Sequence, residues 1–241
     1  MTPAWYYEES KMAGVDFEDA AQVEYDRNQT SSSPEKEQAL VTRLGITAEV
    51  TRLGITAEHT VIDLGAGTGN FAIQAALTGA FVHAVDISQA MLTYAQRKAE
   101  IAGATNIKFH QAGFLSYEHQ DKLADWVVTK NALHILPDFW KMTAFLRIAA
   151  MLQSKGIFYL RDAIFSFPPA DYEASINQWI RQVAKPEGEG WTTSDFEMHV
   201  CEEHSTYEWI IEGMLIRAGF EIVEANYTTP TYAEYLCIKT S

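Results

Sequence analysis

The sequence predicts an α/β fold built on one doubly wound, mostly parallel sheet of seven strands. Strand-like and helix-like segments alternate from Thr60 to Lys239, which is typical of parallel strands joined by helical crossovers. The first strand, residues 61–64, runs into a glycine-rich loop, and a helical pattern starts at Phe71. The second strand, residues 81–86, ends at an acidic residue. These features predict a ligand site at the carboxyl edge of the sheet.

The remaining elements follow from apolar runs and their boundaries. The predicted strands are 61–64, 81–86, 106–112, 125–129, 156–162, 221–225 and 232–239. Helices are predicted where a serine, a proline or a capping box starts an apolar pattern that glycine ends. The residues that start them are Ser33, Ser88, Pro137 and Ser205, the last in the capping box Ser205–Glu208.

The loop after the first strand carries the most specific pattern in the chain. It reads Asp63-Leu-Gly65-Ala66-Gly67-Thr-Gly69. Glycine allows a tight turn and a close approach of ligand to backbone, and the following helix N-terminus attracts negative charge. The dinucleotide fingerprint G-x-G-x-x-G would need glycine where Asn70 stands. A nucleotide-like ligand other than a nicotinamide dinucleotide is therefore predicted.

The pattern Asp-x-Gly-x-Gly-x-Gly resembles the first motif of class I S-adenosylmethionine-dependent methyltransferases, in particular the small-molecule ubiquinone- and menaquinone-biosynthesis-like group. Asp86 follows Gly69 by 17 residues, where this family places an acid on the ribose hydroxyls. The resemblance covers the core from Thr60 to Lys239 and implies the Rossmann-like methyltransferase fold, with the last two strands as an antiparallel edge hairpin. S-adenosyl-L-methionine is the implied cofactor. The implied binding residues are Tyr25, Asp63, Gly65, Ala66, Gly67, Gly69, Asp86, Ile87, Met91, Gly113, Phe114 and Asn131.

One position departs from the family. An acidic residue often stands near Gly113 to hold the adenine amino group, but this chain reads Gln111-Ala112-Gly113-Phe114. Backbone atoms and a stacking contact from Phe114 are the expected substitutes.

Three parts of the chain are distinguished. Residues 1–33 form an aromatic, then acidic leader; it is either a flexible terminus or, as the resemblance of the segment around Tyr25 implies, part of a lid. The resemblance implies that residues 34–241 form the methyltransferase domain. Residues 163–203 interrupt the alternation with aromatic residues among glycines and acids. They predict a helical lid insertion after the fifth strand, with a structural helical annex as the alternative.

A tandem repeat precedes the first strand: residues 41–49 and 50–58 are identical. Nine residues rotate a helix by about 900°, so the second copy cannot continue the buried face of the first. One copy is predicted to lead into the strand at Thr60, and the other to form an extra turn or a surface loop. We expect a protein without residues 50–58 to fold and bind cofactor.

His134 is the candidate catalytic residue because it follows the fourth strand, where the acceptor should lie. A hydroxyl or acidic-carbon acceptor would use a general base; a histidine that only caps a helix or contacts the cofactor is the alternative. His199 and His204, with two glutamates between them, lack the i, i+4 spacing of a zinc-protease helix. No metal site is therefore predicted.

Composition limits the partners. A net charge of −14 disfavours nucleic acid, and no apolar run has the length of a membrane span. Two cysteines are too few for a disulfide scaffold, and the N-terminus lacks a signal-peptide pattern, so a cytoplasmic protein is expected. The predicted partner is a small-molecule methyl acceptor. A non-catalytic S-adenosylmethionine-binding protein and an RNA or protein methyltransferase are the alternatives. The oligomeric state stays open, with a dimer among the options.

Overall fold

The structure, a computed structural model, describes residues 5–12, 15–16 and 46–240. Within these ranges eight strands form one sheet and two short strands form a separate pair. The pair is β1 (Lys11–Met12) and β2 (Val15–Asp16). The sheet contains β3 (Thr60–Leu64), β4 (Phe81–Asp86), β5 (Ile107–Gln111), β6 (Ala124–Lys130), β7 (Leu152–Phe165), β8 (Thr206–Tyr207), β9 (Phe220–Thr229) and β10 (Tyr232–Lys239).

The strand order is β5-β4-β3-β6-β7-β10-β9, with β8 paired to the end of β7. Strands β3 to β7 run parallel, so their carboxyl ends share one edge of the sheet. Strand β10 lies antiparallel between β7 and β9. The predicted doubly wound sheet is confirmed. So is the antiparallel pair at its edge, which the family resemblance implied.

Helices cover both faces of the sheet. They are α1 (Ile46–Leu53), α2 (Asn70–Leu77), α3 (Gln89–Ala102), α4 (Asp138–Met151), α5 (Tyr172–Val183), α6 (Thr193–Glu202) and α7 (Glu208–Arg217). Alternation along β3 divides the core: Ile62 and Leu64 pack towards α4 and α7, and Val61 packs towards α1 and α2. The Ser88 side chain accepts a hydrogen bond from the Met91 amide, so the predicted N-cap of α3 is confirmed.

Two boundary predictions are wrong. Strand β7 begins at Leu152, directly after α4, rather than at Gly156. The capping box at Ser205 does not form, because α7 begins at Glu208 behind Tyr207, which makes no side-chain cap. The physical reason is that Thr206 and Tyr207 are extended, paired with Ile164 and Phe165 of β7.

The insertion, residues 163–203, is helical beyond the end of β7 and is called the annex below. Helix α6 starts at a capping box made by Thr192 and Asp195. Between the annex helices lies Trp179, which is 6% exposed and meets Phe196 and His199 edge-on. Aromatic packing therefore makes the annex a small core of its own beside the carboxyl ends of β6 and β7.

The beginning of the chain lies across the same edge of the sheet. Tyr6 Oη donates to the Leu115 carbonyl at 3.2 Å, and Tyr7 Oη donates to the Ile135 carbonyl at 3.3 Å. Both rings pack against Trp140 of α4. Tyr25 and the helix predicted from Pro34 lie outside the described residues.

Helix α1 crosses the junction between the two repeat copies. In the second copy Val50, Leu53 and Ile55 are buried in the core, and Gly54, with φ 70°, ends the helix. This copy is the one that leads into β3. Just before it, Glu49 pairs with Lys130 and accepts a hydrogen bond from Tyr159 Oη at 2.7 Å.

Two smaller observations concern the remaining predictions. Among the described helices, none has the length and apolar character needed to cross a bilayer. Cys201 is exposed and Cys237 is buried, and both are free thiols.

Candidate functional site

The glycine loop between β3 and α2 is shaped by close contacts. Gly65 has φ 74°, and a Cβ there would lie 2.4 Å from the Ala132 Cβ. Gly69 has φ 76°, and its Cβ would lie 2.9 Å from the Ala95 Cβ. Only glycine tolerates both the left-handed backbone and the contact. The amides of Gly65 and Ala66 both donate to the Val85 carbonyl, at 2.9 and 3.0 Å, which fixes the loop against β4.

Asp86 joins the loop to the end of β4. Its Oδ2 accepts a hydrogen bond from the Gly67 amide at 2.7 Å, and its Oδ1 accepts one from the Ser88 amide at 2.9 Å. The structure thus brings together Asp86 and the glycine loop, as the sequence predicted. Each carboxylate oxygen has a second lone pair, so Asp86 retains acceptor capacity for the hydroxyls of a ligand.

Asp63 lies beneath the loop and is 3% exposed. Burial raises the pKa of its carboxyl to about 7, partly opposed by the Lys130 ammonium. Its Oδ2 is buried and has no hydrogen-bond partner among the described residues.

The predicted adenine-side residues lie where β4 and β5 end. Ile87 is half-buried, and Met91 is buried on the inner face of α3. The Phe114 ring is 3% exposed and packs in the core close to Gly65. Its burial leaves little ring surface for stacking, and the contact of Phe114 with the cofactor stays a prediction.

Glu9 is a site residue that the sequence did not predict. Its carboxylate lies where a side chain on Gly113 would be: a Cβ there would lie 2.4 Å from Glu9 Oε2. Oε1 accepts hydrogen bonds from the Leu115 amide at 2.9 Å and from Ser116 Oγ at 3.2 Å. Oε2 is buried with no hydrogen-bond partner among the described residues. Burial raises the pKa of this carboxyl, although these hydrogen bonds oppose the rise.

The ends of β6 and β7 hold the predicted acceptor-side residues. Asn131 adopts a left-handed backbone, φ 53°, and its amide donates to the Arg161 carbonyl at 2.8 Å. Next comes the 3₁₀ turn Leu133–Ile135. Asp162 on β7 fixes this turn, because Oδ2 accepts the amides of Leu133 at 2.8 Å and His134 at 3.1 Å.

His134 is held between two carboxylates. Its Nδ1 pairs with Asp162 Oδ1, and its Nε2 lies 3.0 Å from Glu203 Oε2. The same glutamate oxygen contacts Nδ1 of His199, whose Nε2 lies 2.9 Å from Ser205 Oγ. These residues, His134, Asp162, His199 and Glu203, are called the His134 cluster. The sequence predicted His134 but neither Glu203 nor Asp162.

Charge pairing governs the His134 cluster. Burial alone would lower the pKa of His134, but Asp162 and Glu203 outweigh it and raise the pKa to about 10. Burial would raise the pKa of Glu203, yet His134 and His199 lower it to about 2. The pKa of Asp162 is likewise held down, against its burial, by His134.

The sheet order, the glycine loop fixed against β4 and the acid that ends β4 define a class I S-adenosylmethionine-dependent methyltransferase fold. The chain matches a family model described as a methyltransferase domain over residues 55–226. This match covers well over half of the chain, so the chain belongs to this methyltransferase-domain family.

Individual relatives agree with the family. Phosphoethanolamine N-methyltransferase 2 of Caenorhabditis elegans is 31% identical over 98 residues, which are 40% of this chain and 22% of that protein. The aligned part therefore spans less than a quarter of that relative's length. Magnesium protoporphyrin IX methyltransferase of Synechocystis superposes with a TM-score of 0.65 at 16% identity, covering 92% of this chain and 96% of the other.

A third relative is a methyltransferase from Listeria monocytogenes described as putative. It superposes with a TM-score of 0.58 at 21% identity, over 83% of this chain and all of the other. At such identities the superpositions establish the fold. The family match establishes the class: the chain is an S-adenosylmethionine-dependent methyltransferase, and S-adenosylmethionine is its cofactor.

The residues present fit this cofactor. A cradle that only glycine allows lies beside Asp86, and an unpaired buried oxygen of Glu9 lies at the next strand end. The further site-residue predictions, from Asp63 to Asn131, stay predictions. Tyr25 lies outside the described residues.

Proposed function

We propose that this methyltransferase transfers the methyl group to a small-molecule acceptor that binds at the ends of β6 and β7, against the annex. The observation that best supports this proposal is the close approach of Gly65 to Ala132. Ala132 stands two residues before His134 in the chain. This contact joins the cofactor loop to the segment that carries the His134 cluster. Donor and acceptor sites would therefore meet at one edge of the sheet.

Two further observations support a small acceptor. The net charge of −14 disfavours a nucleic-acid backbone as the partner. Phosphoethanolamine and magnesium protoporphyrin IX, the molecules in the names of two relatives, are both small. An RNA or protein substrate stays an alternative that the acceptor experiment below tests.

For the cofactor we propose three protein contacts. S-adenosylmethionine supplies an activated methyl group on a positively charged sulfur. Asp86 accepts the ribose hydroxyls, and the glycine loop takes the methionine end against its backbone. Glu9 Oε2 accepts the adenine amino group in place of the acid that related enzymes carry near Gly113. The support for Glu9 is its position in the space of that missing side chain.

At the acceptor end we propose that the protein positions the acceptor and excludes water. Asp162 fixes the 3₁₀ turn and the ring of His134. Both ring nitrogens of His134 already face carboxylates, so we propose that His134 fixes the strand end against which the acceptor binds rather than accepting its proton. Positioning and exclusion of water are the main aids that a protein can give to an in-line displacement.

We propose in addition that the leader and the annex cover the site. Tyr6 and Tyr7 already bridge the ends of β5 and β6 through Leu115 and Ile135. Ordering by ligand would raise amide protection in residues 5–12 and 172–203 when S-adenosylhomocysteine is added to a hydrogen-exchange experiment. Protection that changes only around Gly65 would instead indicate a rigid annex.

The experiment that tests the function measures S-adenosylhomocysteine release on a panel of small hydroxyl, amine and carboxyl acceptors, with RNA and protein as further panels. We expect turnover on a small acceptor only. His134→Ala should reduce turnover at least tenfold with little change in cofactor affinity. Asp86→Ala should weaken S-adenosylmethionine binding at least tenfold, since a charged hydrogen bond contributes about 1.5–3 kcal/mol. Cofactor binding without turnover on any panel would favour the non-catalytic alternative.

The Glu9 contact has its own test. Glu9→Gln should weaken S-adenosylhomocysteine binding about three- to tenfold, in the range of one hydrogen bond. The control is Glu8→Gln, a change at the exposed neighbouring residue, which should bind like the parent. The analogue with unsubstituted purine riboside in place of adenosine lacks the amino group and carries only hydrogen there. Its affinity should be the same for Glu9→Gln and the parent, because the contact is absent in both. An equal loss for both ligands would assign Glu9 to support of the Leu115 turn alone.

A further inference from the structure

Three ligand-type side chains converge at the end of β6. His134 comes from the 3₁₀ turn, His199 from α6, and Glu203 from the residue after α6. One nitrogen of each histidine and one glutamate oxygen all lie within 4.8 Å of one another. His199 and Glu203 are separated by four residues, so both project from one side of the helix end.

The three groups meet at one buried oxygen. Glu203 Oε2 is buried, lies 3.0 Å from His134 Nε2 and contacts His199 Nδ1. A buried carboxylate oxygen is paired either with a proton donor or with a cation. Two imidazole nitrogens and one carboxylate oxygen that face one another in this way form a donor set that suits a shared cation.

The second ring nitrogen of each histidine also has the kind of partner that metal-binding histidines have. His134 Nδ1 pairs with Asp162 Oδ1, and His199 Nε2 lies 2.9 Å from Ser205 Oγ. Metal-binding histidines characteristically donate their second ring N–H to a carboxylate or another oxygen, which fixes the tautomer. With the second nitrogens fixed in this way, Nε2 of His134 and Nδ1 of His199 would face an ion that displaces the protons between them and Glu203.

We infer that His134, His199 and Glu203 form a binding site for a divalent transition-metal ion, with zinc the best match to two imidazoles and one carboxylate. Imidazole suits zinc, copper, iron and nickel, whereas magnesium and calcium prefer oxygen ligands. Three protein ligands leave a coordination position for solvent, as in metal sites that are not purely structural. The ion would tie the annex to the strand end. This goes beyond methyl transfer, and its test does not depend on the acceptor.

The test is a titration of chelator-treated protein with Zn²⁺ by calorimetry and with Co²⁺ by visible absorption, both without acceptor. We expect one equivalent to bind. Glu203→Gln and His199→Gln should each lose at least about 100-fold in affinity, more than the typical loss for an outer-contact change. The matched controls are Glu202→Gln, an exposed residue beside Glu203, and His204→Gln, the histidine beyond it. Both should bind like the parent.

The Co²⁺ spectrum of the parent provides a readout that needs no variant. A four- or five-coordinate site gives an intense visible band, and the hydrated ion gives a weak one. A weak band, no binding, or parent-like affinity in both ligand variants would overturn the assignment and leave the cluster as a set of buried ion pairs. Because no turnover is measured, these outcomes are independent of the acceptor experiment.

Discussion

Two groups of histidines lie on this sheet, and their surroundings are opposite. The edge group, His83, His110 and His119, lies on β4, β5 and the following loop, with His83 Nδ1 3.0 Å from His110 Nε2. The carboxylate that it approaches is the half-exposed Asp121, 3.7 Å from His83 Nε2. The His134 cluster instead contains two buried carboxylates.

The different surroundings shift the histidine pKa in opposite directions. Burial and the neighbouring histidines lower the pKa of His83 to about 4, whereas two carboxylates raise that of His134 to about 10. Burial disfavours the charged form of any histidine, and only nearby negative charge reverses this. At neutral pH His83 is therefore uncharged, whereas His134 carries a charge when no ion is bound beside it. Substitutions of the carboxylates, of an imidazole and of the hydroxyls should change the stability of the protein differently in the two groups.

The largest difference is expected from the carboxylates. Asp162→Ala removes the acceptor for the Leu133 and His134 amides and leaves the His134 ring facing one carboxylate instead of two. Breaking a buried pair typically costs about 3–5 kcal/mol. Asp121→Ala, the matched change in the edge group, should leave the urea unfolding midpoint close to that of the parent. Equal losses in both variants would show that the carboxylates are not what distinguishes the groups.

A smaller effect is expected from the imidazole of His83 as pH falls. Its folded-state pKa is depressed, so its neutral form contributes stability above the ordinary value of 6.5, and this is lost as pH falls towards about 4. His110, His119 and Lys108 oppose a charge there, and Asp121 favours it. We expect the free energy of unfolding to fall by about 1–3 kcal/mol over this range.

Urea unfolding at several pH values tests this. The variant His83→Leu should flatten the pH dependence, and His59→Gln controls for the loss of a histidine outside the group. A His83→Leu protein with the slope of the parent would assign the acid sensitivity to other residues.

The smallest effect is expected from the hydroxyls. Each group has one: Ser205 Oγ is 2.9 Å from His199 Nε2, and Tyr117 Oη is 3.0 Å from His119 Nδ1. Ser205→Ala leaves a buried ring nitrogen unpaired, which costs about 1–3 kcal/mol. Tyr117→Phe leaves the half-exposed His119 free to bond water, so about 0.5 kcal/mol is expected. Thermal unfolding measures both, and the reverse ranking would contradict the difference in burial.

The sequence predicted the parts of this fold that are local. The glycine loop, Asp86 and the N-cap Ser88 lie within one continuous stretch, so their spacing alone indicates where they meet. The alternation of strands and helices was sufficient for the parallel sheet, since right-handed crossovers leave few topologies.

The missed features depend on contacts between distant segments. Glu9 contacts Leu115 across 106 residues, and nothing near Gly113 in the sequence announces it. The capping box at Ser205 failed because β8 pairs with β7. The sequence analysis weighed His199 with His204, whereas the proposed site combines His199 and Glu203, which have the helical i, i+4 spacing, with His134, which joins them only through the fold. A Thr-x-x-Asp pattern at Thr192 was a local signal for the cap of α6.

The repeat at α1 has a further consequence. It raises the question of which of the two identical copies packs in the core before β3. Sliding the chain by one copy would put Val41, Leu44 and Ile46 where Val50, Leu53 and Ile55 are buried, so the core would be chemically unchanged. At the position of Glu49, however, the slid chain would present Leu40. The Lys130 ammonium and Tyr159 Oη would then lose their carboxylate partner. The rest of the first turn of α1 would change too, because residues 37–39 would replace residues 46–48. The contacts of Glu49 therefore favour the observed alignment of the repeat over the slid one.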